Sequence, residues 1–137
     1  MPRLQNREGR KPSQELLRAA REAWRRAHAP YSGFRVGAAL LQTDGEIIVG
    51  ANIENAAYPL GVCAERTALQ IWRQRARPRP IQLVVVYART ELATSPCGLC
   101  REALLRWAPQ AAVWLAGSGT LAGPFHPRDW LPGRAPS

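Results

Sequence analysis

No stretch of the 137-residue chain reaches the roughly eighteen consecutive apolar residues that a membrane-spanning helix needs. The longest apolar runs, Val36 to Leu41 and Leu83 to Ala88, have the length of strands. The first residues, Met1-Pro2-Arg3-Leu4-Gln5-Asn6-Arg7-Glu8, lack the apolar centre of a secretion signal, so a soluble, cytoplasmic protein with no membrane partner is expected. Cysteine is scarce and odd in number. Three residues cannot all pair within one chain, and a chain of this size with 46% hydrophobic residues can build a core without disulfides. Metal binding or catalysis is the better use for them. Acidic residues are outnumbered, ten against nineteen basic, giving a formal charge of +9, a balance that by itself favours nucleic-acid binding. The distribution argues otherwise. Many arginines sit in the N-terminal segment and first helix, or in the linker Arg73 to Pro80, and form no basic stripe interleaved with stacking aromatics. They read as solvated faces and tails, and no nucleic-acid partner is expected.

With no internal repeat, the chain reads as one domain over residues 1–137, of which 1–12 are polar, basic and expected to be flexible. Ser13 is placed to cap a helix, and Leu16, Leu17, Ala20, Ala23, Trp24 and Ala27 recur at helical spacing. This predicts a helix over about Gln14 to His28, closed by Pro30. Val36 to Leu41 and Ile47 to Gly50, separated by Thr43-Asp44-Gly45, predict a β-hairpin. Asn52 to Gly61 shows no periodicity and is expected to be a long connecting loop, where function concentrates. Cys63 to about Arg75 predicts a second helix, Leu83 to Ala88 a strand buried on both faces, and Cys97 to Trp107 a third helix. Ala111 to Ala116, and a short segment from Leu121 to Phe125, complete the strands. Helices set between successive strands make a layered α/β domain with a mixed sheet the expected architecture.

All three cysteines fall at starts of predicted helices. The positive end of a helix favours the thiolate, which is the form that binds a metal. Cys97 and Cys100 share a helix face at spacing i, i+3, and Cys63 arrives from the neighbouring helix. Three protein ligands leave one tetrahedral position for water, the mark of a catalytic rather than a structural zinc site. A lone Cys-x-x-Cys would fit redox chemistry, zinc or a buried apolar pair equally well. Glu65, two residues after Cys63, shifts that balance, because a carboxylate beside an open metal position can move protons without being a ligand. Cys63-Ala64-Glu65 followed by Pro96-Cys97-Gly98-Leu99-Cys100 is the three-cysteine form of the signature of zinc deaminases.

The chain resembles the cytidine deaminase family, of the small homotetrameric type, over nearly its whole length. The motifs are Tyr31-Ser32-Gly33-Phe34-Arg35-Val36-Gly37-Ala38-Ala39-Leu40, Asn52-Ile53-Glu54-Asn55-Ala56-Ala57-Tyr58, Cys63-Ala64-Glu65-Arg66-Thr67-Ala68 and Ser95-Pro96-Cys97-Gly98-Leu99-Cys100-Arg101. The resemblance implies a three-layer α/β/α sandwich around a mixed five-stranded sheet. It implies zinc-dependent hydrolytic deamination of cytidine and deoxycytidine to uridine and deoxyuridine, in pyrimidine salvage. One zinc ion per chain would be held by Cys63, Cys97 and Cys100, with Glu65 as the catalytic proton carrier. Arg66 matches the arginine that hydrogen-bonds ligand sulfurs, and Phe34 the aromatic that packs on the pyrimidine. Asn52 and Glu54 match the pair that binds the ribose hydroxyls. Ala64 joins this substrate-binding set, while Ala56 and Tyr58 match a segment contributed by a neighbouring subunit. His28 and His126 are not expected as ligands.

Three alternatives fit these residues less well. A deaminase of RNA or DNA needs an extended basic cleft and usually shows histidine where Cys63 stands. Blasticidin S deaminase shares the pattern of Ser95 to Glu102, but Phe34 and the Asn52-Ile53-Glu54 run fit a nucleoside better. A zinc-stabilised binding module would need no Glu65 and would want a fourth ligand. One departure stands out near the C-terminus: relatives carry a Leu-Pro-x-x-Phe ending whose aromatic covers a neighbour's pyrimidine, whereas Leu131-Pro132-Gly133-Arg134-Ala135 places alanine there.

Overall fold

The structure is a computed structural model in which residues 11–57, 61–89 and 98–130 are described. Helix α1 spans Gln14–Arg25 and starts where expected, since the Ser13 hydroxyl accepts a hydrogen bond from the Leu16 amide at 3.1 Å. Its end is earlier than the periodicity suggests. The Arg26 amide turns back on Ala23 and Trp24, and His28 leaves the helix to pair with the loop beyond the hairpin. There its amide donates to the Asn52 carbonyl at 2.9 Å, and its own carbonyl accepts from the Glu54 amide at 2.8 Å. A tertiary backbone pairing has therefore overridden helical spacing at Ala27 and His28.

Strands β1 (Val36–Gln42) and β2 (Ile47–Ala51) form the predicted hairpin. Gly45 takes φ +93 in its turn, and the Asp44 side chain accepts from the Glu46 amide at 3.0 Å. Helix α2 (Ala64–Arg73) leads to β3 (Ile81–Ala88), α3 (Gly98–Trp107) to β4 (Ala112–Gly117), and β5 (Thr120–Phe125) closes the sheet before a 3-10 turn at Pro127–Trp130. The sheet order is β2-β1-β3-β4-β5. Only β3 and β4 run parallel; the other three pairs are antiparallel. The sheet is therefore mixed and five-stranded, as expected.

Alternation along the strands divides the core in two. Leu16 and Ala20 of α1 pack on Ala39, Leu83, Val85 and Trp114. On the opposite face, Ala64, Ala68 and Leu69 of α2 and Leu104 of α3 pack on Ala38, Leu40, Val84 and Val113. The central strand β3 supplies both faces, which explains its unbroken apolar sequence. The result is the α/β/α sandwich, with α2 and α3 side by side on one face. One glycine sets how close α2 can lie. A Cβ built on Gly50 of β2 would stand 2.4 Å from the Ala68 nitrogen and 2.8 Å from the Ala64 oxygen, both backbone atoms. Only glycine admits the first turn of α2 at that distance.

Candidate active site and metal centre

Cys63 is the N-cap of α2, with φ −73 and ψ 157, but its sulfur does not cap the helix. The first turn is held instead by the Cys63 carbonyl, which accepts from both the amide and the hydroxyl of Thr67 at 2.9 Å. Cys100 lies in the first turn of α3 and is fully buried. Because α2 and α3 pack side by side, the two thiols meet the same neighbours. The Arg66 guanidinium hydrogen-bonds both sulfurs, and the Glu65 carboxyl hydrogen-bonds Cys100. The structure thus brings Cys63, Glu65, Arg66 and Cys100 together.

The electrostatics of this cluster are pronounced. Glu65 is only 5% exposed, and burial pushes its carboxyl above the ordinary range, against the opposing pull of its own backbone amide, Cys100 and Arg66. For Arg66 burial acts to lower the pKa, but hydrogen bonding to Cys63 and the charges of both cysteines outweigh it and hold the guanidinium more firmly protonated. Two soft thiols at helix starts, facing one cation, fit a zinc ion. The buried Arg66 Nε, which has no hydrogen-bond acceptor among the described residues, fits the same reading, because it leaves a donor for a further sulfur. Cys97 lies outside the described residues, and among those described no group of three His, Cys, Asp or Glu side chains forms a complete metal site.

The expected substrate residues have less uniform roles. Asn52 engages both ends of its carboxamide on the entry to β1: Oδ1 accepts from the Val36 amide at 2.8 Å and Nδ2 donates to the Phe34 carbonyl at 3.0 Å. Glu54 holds the preceding turn. Its Oε1 accepts from the amides of Tyr31 and Ser32, each at 3.0 Å, and its Oε2 accepts from the Ser32 hydroxyl. The Ser32 hydroxyl bond is the main cause that holds the Glu54 carboxyl below its ordinary value. Phe34 is 42% exposed, and Ala56 is exposed as well. The Ala64 side chain is buried in the core, so its methyl serves packing rather than a substrate contact. Tyr58 and Ala135 lie outside the described residues. Sequence reasoning missed Ser32, whose Ser-Gly turn just ahead of a strand was the available signal.

A zinc-compatible thiol pair beside a buried carboxylate, on the helix face of a mixed five-stranded sheet, defines a hydrolytic metalloenzyme scaffold. Comparison with known proteins narrows the class. The sequence model of the cytidine and deoxycytidylate deaminase zinc-binding region matches residues 10–116. A cytidine deaminase of Halalkalibacterium halodurans is 47% identical over 96 residues, 70% of this chain and 72% of that one. The crystal structure of cytidine deaminase from Burkholderia pseudomallei superposes with a TM-score of 0.82 at 37% identity, covering 90% of this chain and 99% of that one. That from Mycobacterium tuberculosis gives 0.73 at 28% identity, covering 88% and 94%. The chain belongs to the cytidine deaminase family.

Proposed function

We propose that this chain hydrolyses cytidine and deoxycytidine to uridine and deoxyuridine, releasing ammonia, with one zinc ion per chain held by Cys63, Cys97 and Cys100. Supporting it above all is Glu65, a buried carboxyl hydrogen-bonded to Cys100 between two thiol-bearing helix starts. Zinc, when bound, supplies Lewis acidity that brings water ionisation to about neutral pH. Glu65 takes a proton from the attacking water as oxygen bonds to ring carbon 4 of cytosine. It passes that proton to ring nitrogen 3, then moves the second proton, from the hydroxyl now on carbon 4, to the exocyclic amine; the bond from carbon 4 to that nitrogen breaks, carbon 4 is left as a carbonyl, and ammonia leaves. Burial raises the Glu65 carboxyl above its ordinary range, the direction that favours its holding a proton between steps of this cycle. Arg66 offsets the negative charge of the thiolates.

Asn52 and Glu54 set the loop that carries Phe34, and Glu54 keeps lone-pair capacity for a ribose hydroxyl. The active unit is a homotetramer in the cytoplasm, serving pyrimidine salvage. Tyr31 is 66%, Phe34 42% and Ile53 49% exposed, an apolar rim around the loop cluster that supports completion of each pocket by neighbouring chains. Ammonia release from cytidine, measured beside blasticidin S and single-stranded DNA, tests the reading. Release from cytidine alone sustains it, and turnover of either other substrate at a greater rate overturns it.

A further inference from the structure

We propose that Arg35 and Arg89 form a phosphate-binding site on the α1 side of the sheet, on the opposite strand face from the catalytic cluster. The strand pattern places the two residues together. On β1, Ala39 packs under α1 while Ala38 and Leu40 face α2 and α3, so Arg35 shares the α1 side with Ala39. On β3, Leu83, Val85 and Tyr87 face α1, and Arg89 continues that parity one step past the strand. The antiparallel register pairs Val36 with Ala88 and Gly37 with Tyr87, so the next step sets Arg35 opposite Arg89. Like charges directly across an antiparallel pair repel. The three ion pairs among the described residues use Arg25, Arg75 and Arg106, and neither Arg35 nor Arg89 has such a partner among those residues.

Among the described residues, two other sources of compensation are already engaged. The carbonyls of Ala23 and Trp24, at the negative end of α1, accept from the amides of Arg26 and Ala27. The Glu54 carboxylate is held by Tyr31 and Ser32. Both arginines line a pocket of about 600 Å³ together with Trp24, His28, Gly33 and Phe34. Arg89 is further fixed by its position 5.8 Å from the Trp24 ring centroid, and Trp24 is braced edge-on by Tyr87 at 5.9 Å.

The chemistry selects the ligand. Two arginines on one pocket need an anion with more acceptor oxygens than a single carboxylate offers, and a phosphate dianion presents three or four. His28 adds a further nitrogen at the rim. The volume exceeds that of inorganic phosphate and is in the range of pockets for small organic ligands, with the Trp24 ring as an apolar wall. A phosphate monoester carrying a flat ring, such as a nucleotide, fits this combination, and inorganic phosphate shares the same anchoring chemistry.

Calorimetric titration of the full-length protein at constant ionic strength tests the site, with inorganic phosphate, adenosine 5′-monophosphate and adenosine as probes. An adenine nucleotide is used because its base is not the pyrimidine of the catalytic site. Saturable binding of both phosphate-bearing probes and not of adenosine, weakened at least about tenfold by Arg35→Gln and by Arg89→Gln but not by Arg18→Gln, supports the proposal. Tighter binding of the nucleotide identifies a monoester as the natural ligand, and equal binding identifies phosphate itself. Absence of saturable binding to the wild-type protein, or unchanged binding to both the Arg35 and the Arg89 variant, overturns it.

Discussion

Replacing Gly50 by alanine adds one methyl group in a place that leaves no slack. The new Cβ would stand 2.4 Å from the Ala68 nitrogen, 2.8 Å from the Ala64 oxygen and 2.9 Å from the Ala68 Cα, all atoms of the α2 backbone. Since backbone cannot rotate away as a side chain can, α2 must lift by about 1 Å to restore ordinary contact. Overpacking of this kind costs roughly 1 to 3 kcal/mol, or a fall in Tm of about 4 to 12 °C for a domain of this size. The larger effect is on chemistry, because the first turn of α2 carries Glu65 and is capped by Cys63. A displacement of about 1 Å at a reacting group can lower turnover by roughly a hundredfold. Ammonia release from cytidine, assayed well below the lowered Tm, should therefore fall by about ten- to a hundredfold in Gly50→Ala. Gly45→Ala is the matched control: its φ of +93 makes alanine strained, but no heavy atom lies within 4 Å of the added carbon. It should lower Tm while leaving kcat at the wild-type value. Wild-type turnover in Gly50→Ala would refute the idea that β2 sets the position of the catalytic helix.

Glu65→Gln should keep the fold and the zinc content while lowering kcat by at least about a hundredfold, read by ammonia release and by metal analysis of the same preparation; retained turnover would assign the proton to another group. Cys97→Ser should bind zinc more weakly and lose Tm stabilisation by zinc, and a zinc content equal to wild type would remove Cys97 from the ligand set. The Glu54 carboxyl titrates below its ordinary 4.5, so its contribution to stability is fully present above that pH and fades as pH falls through the lowered value. In Ser32→Ala the main cause of that lowering is gone, and the Glu54 titration followed by NMR should move back toward 4.5. Ala135→Phe should lower KM for cytidine and worsen turnover of amine-substituted cytidines; if neither changes, the aromatic cover comes from elsewhere.

What could be read from the sequence is what local chemistry determines. The Cys63-Ala64-Glu65 run at the start of α2 and the Asp44-Gly45 turn each act within a few residues, so their placement can be read without coordinates. The unbroken apolar run of β3 marked it as central, and it is. Features that depend on register or approach did not show. His28 leaves α1 because its backbone pairs with the Asn52 to Glu54 segment, a partner more than twenty residues away. The clash set by Gly50 needs β2 and α2 in contact, and the Arg35 and Arg89 juxtaposition needs the β1 and β3 register. Arginines that look like scattered surface charge along the chain thus include a pair the sheet brings face to face.

Asn52 and Glu54 brace the approach to β1, and the proposed use of Glu54 in sugar recognition can be separated from that folding role. A carboxylate offers about four lone-pair sites, and Glu54 fills three of them with the Tyr31 and Ser32 amides and the Ser32 hydroxyl. One remains for a substrate hydroxyl. If Glu54 only braced the loop, Glu54→Gln would disturb Phe34 equally for every nucleoside and would penalise all of them alike. If it also binds the sugar, the penalty must include the lost contact to a hydroxyl. That part vanishes when the hydroxyl is absent. Comparing cytidine with its 2′,3′-dideoxy analogue isolates the difference as a double-mutant cycle in which the second change is made on the ligand. Recognition predicts that wild-type protein prefers cytidine by roughly tenfold in kcat/KM, and that Glu54→Gln loses most of this preference. An equal loss of activity on both nucleosides would make Glu54 a positioning residue for the Tyr31 to Val36 segment alone. Recognition of the sugar would then have to reside in the backbone of that segment or in a neighbouring chain.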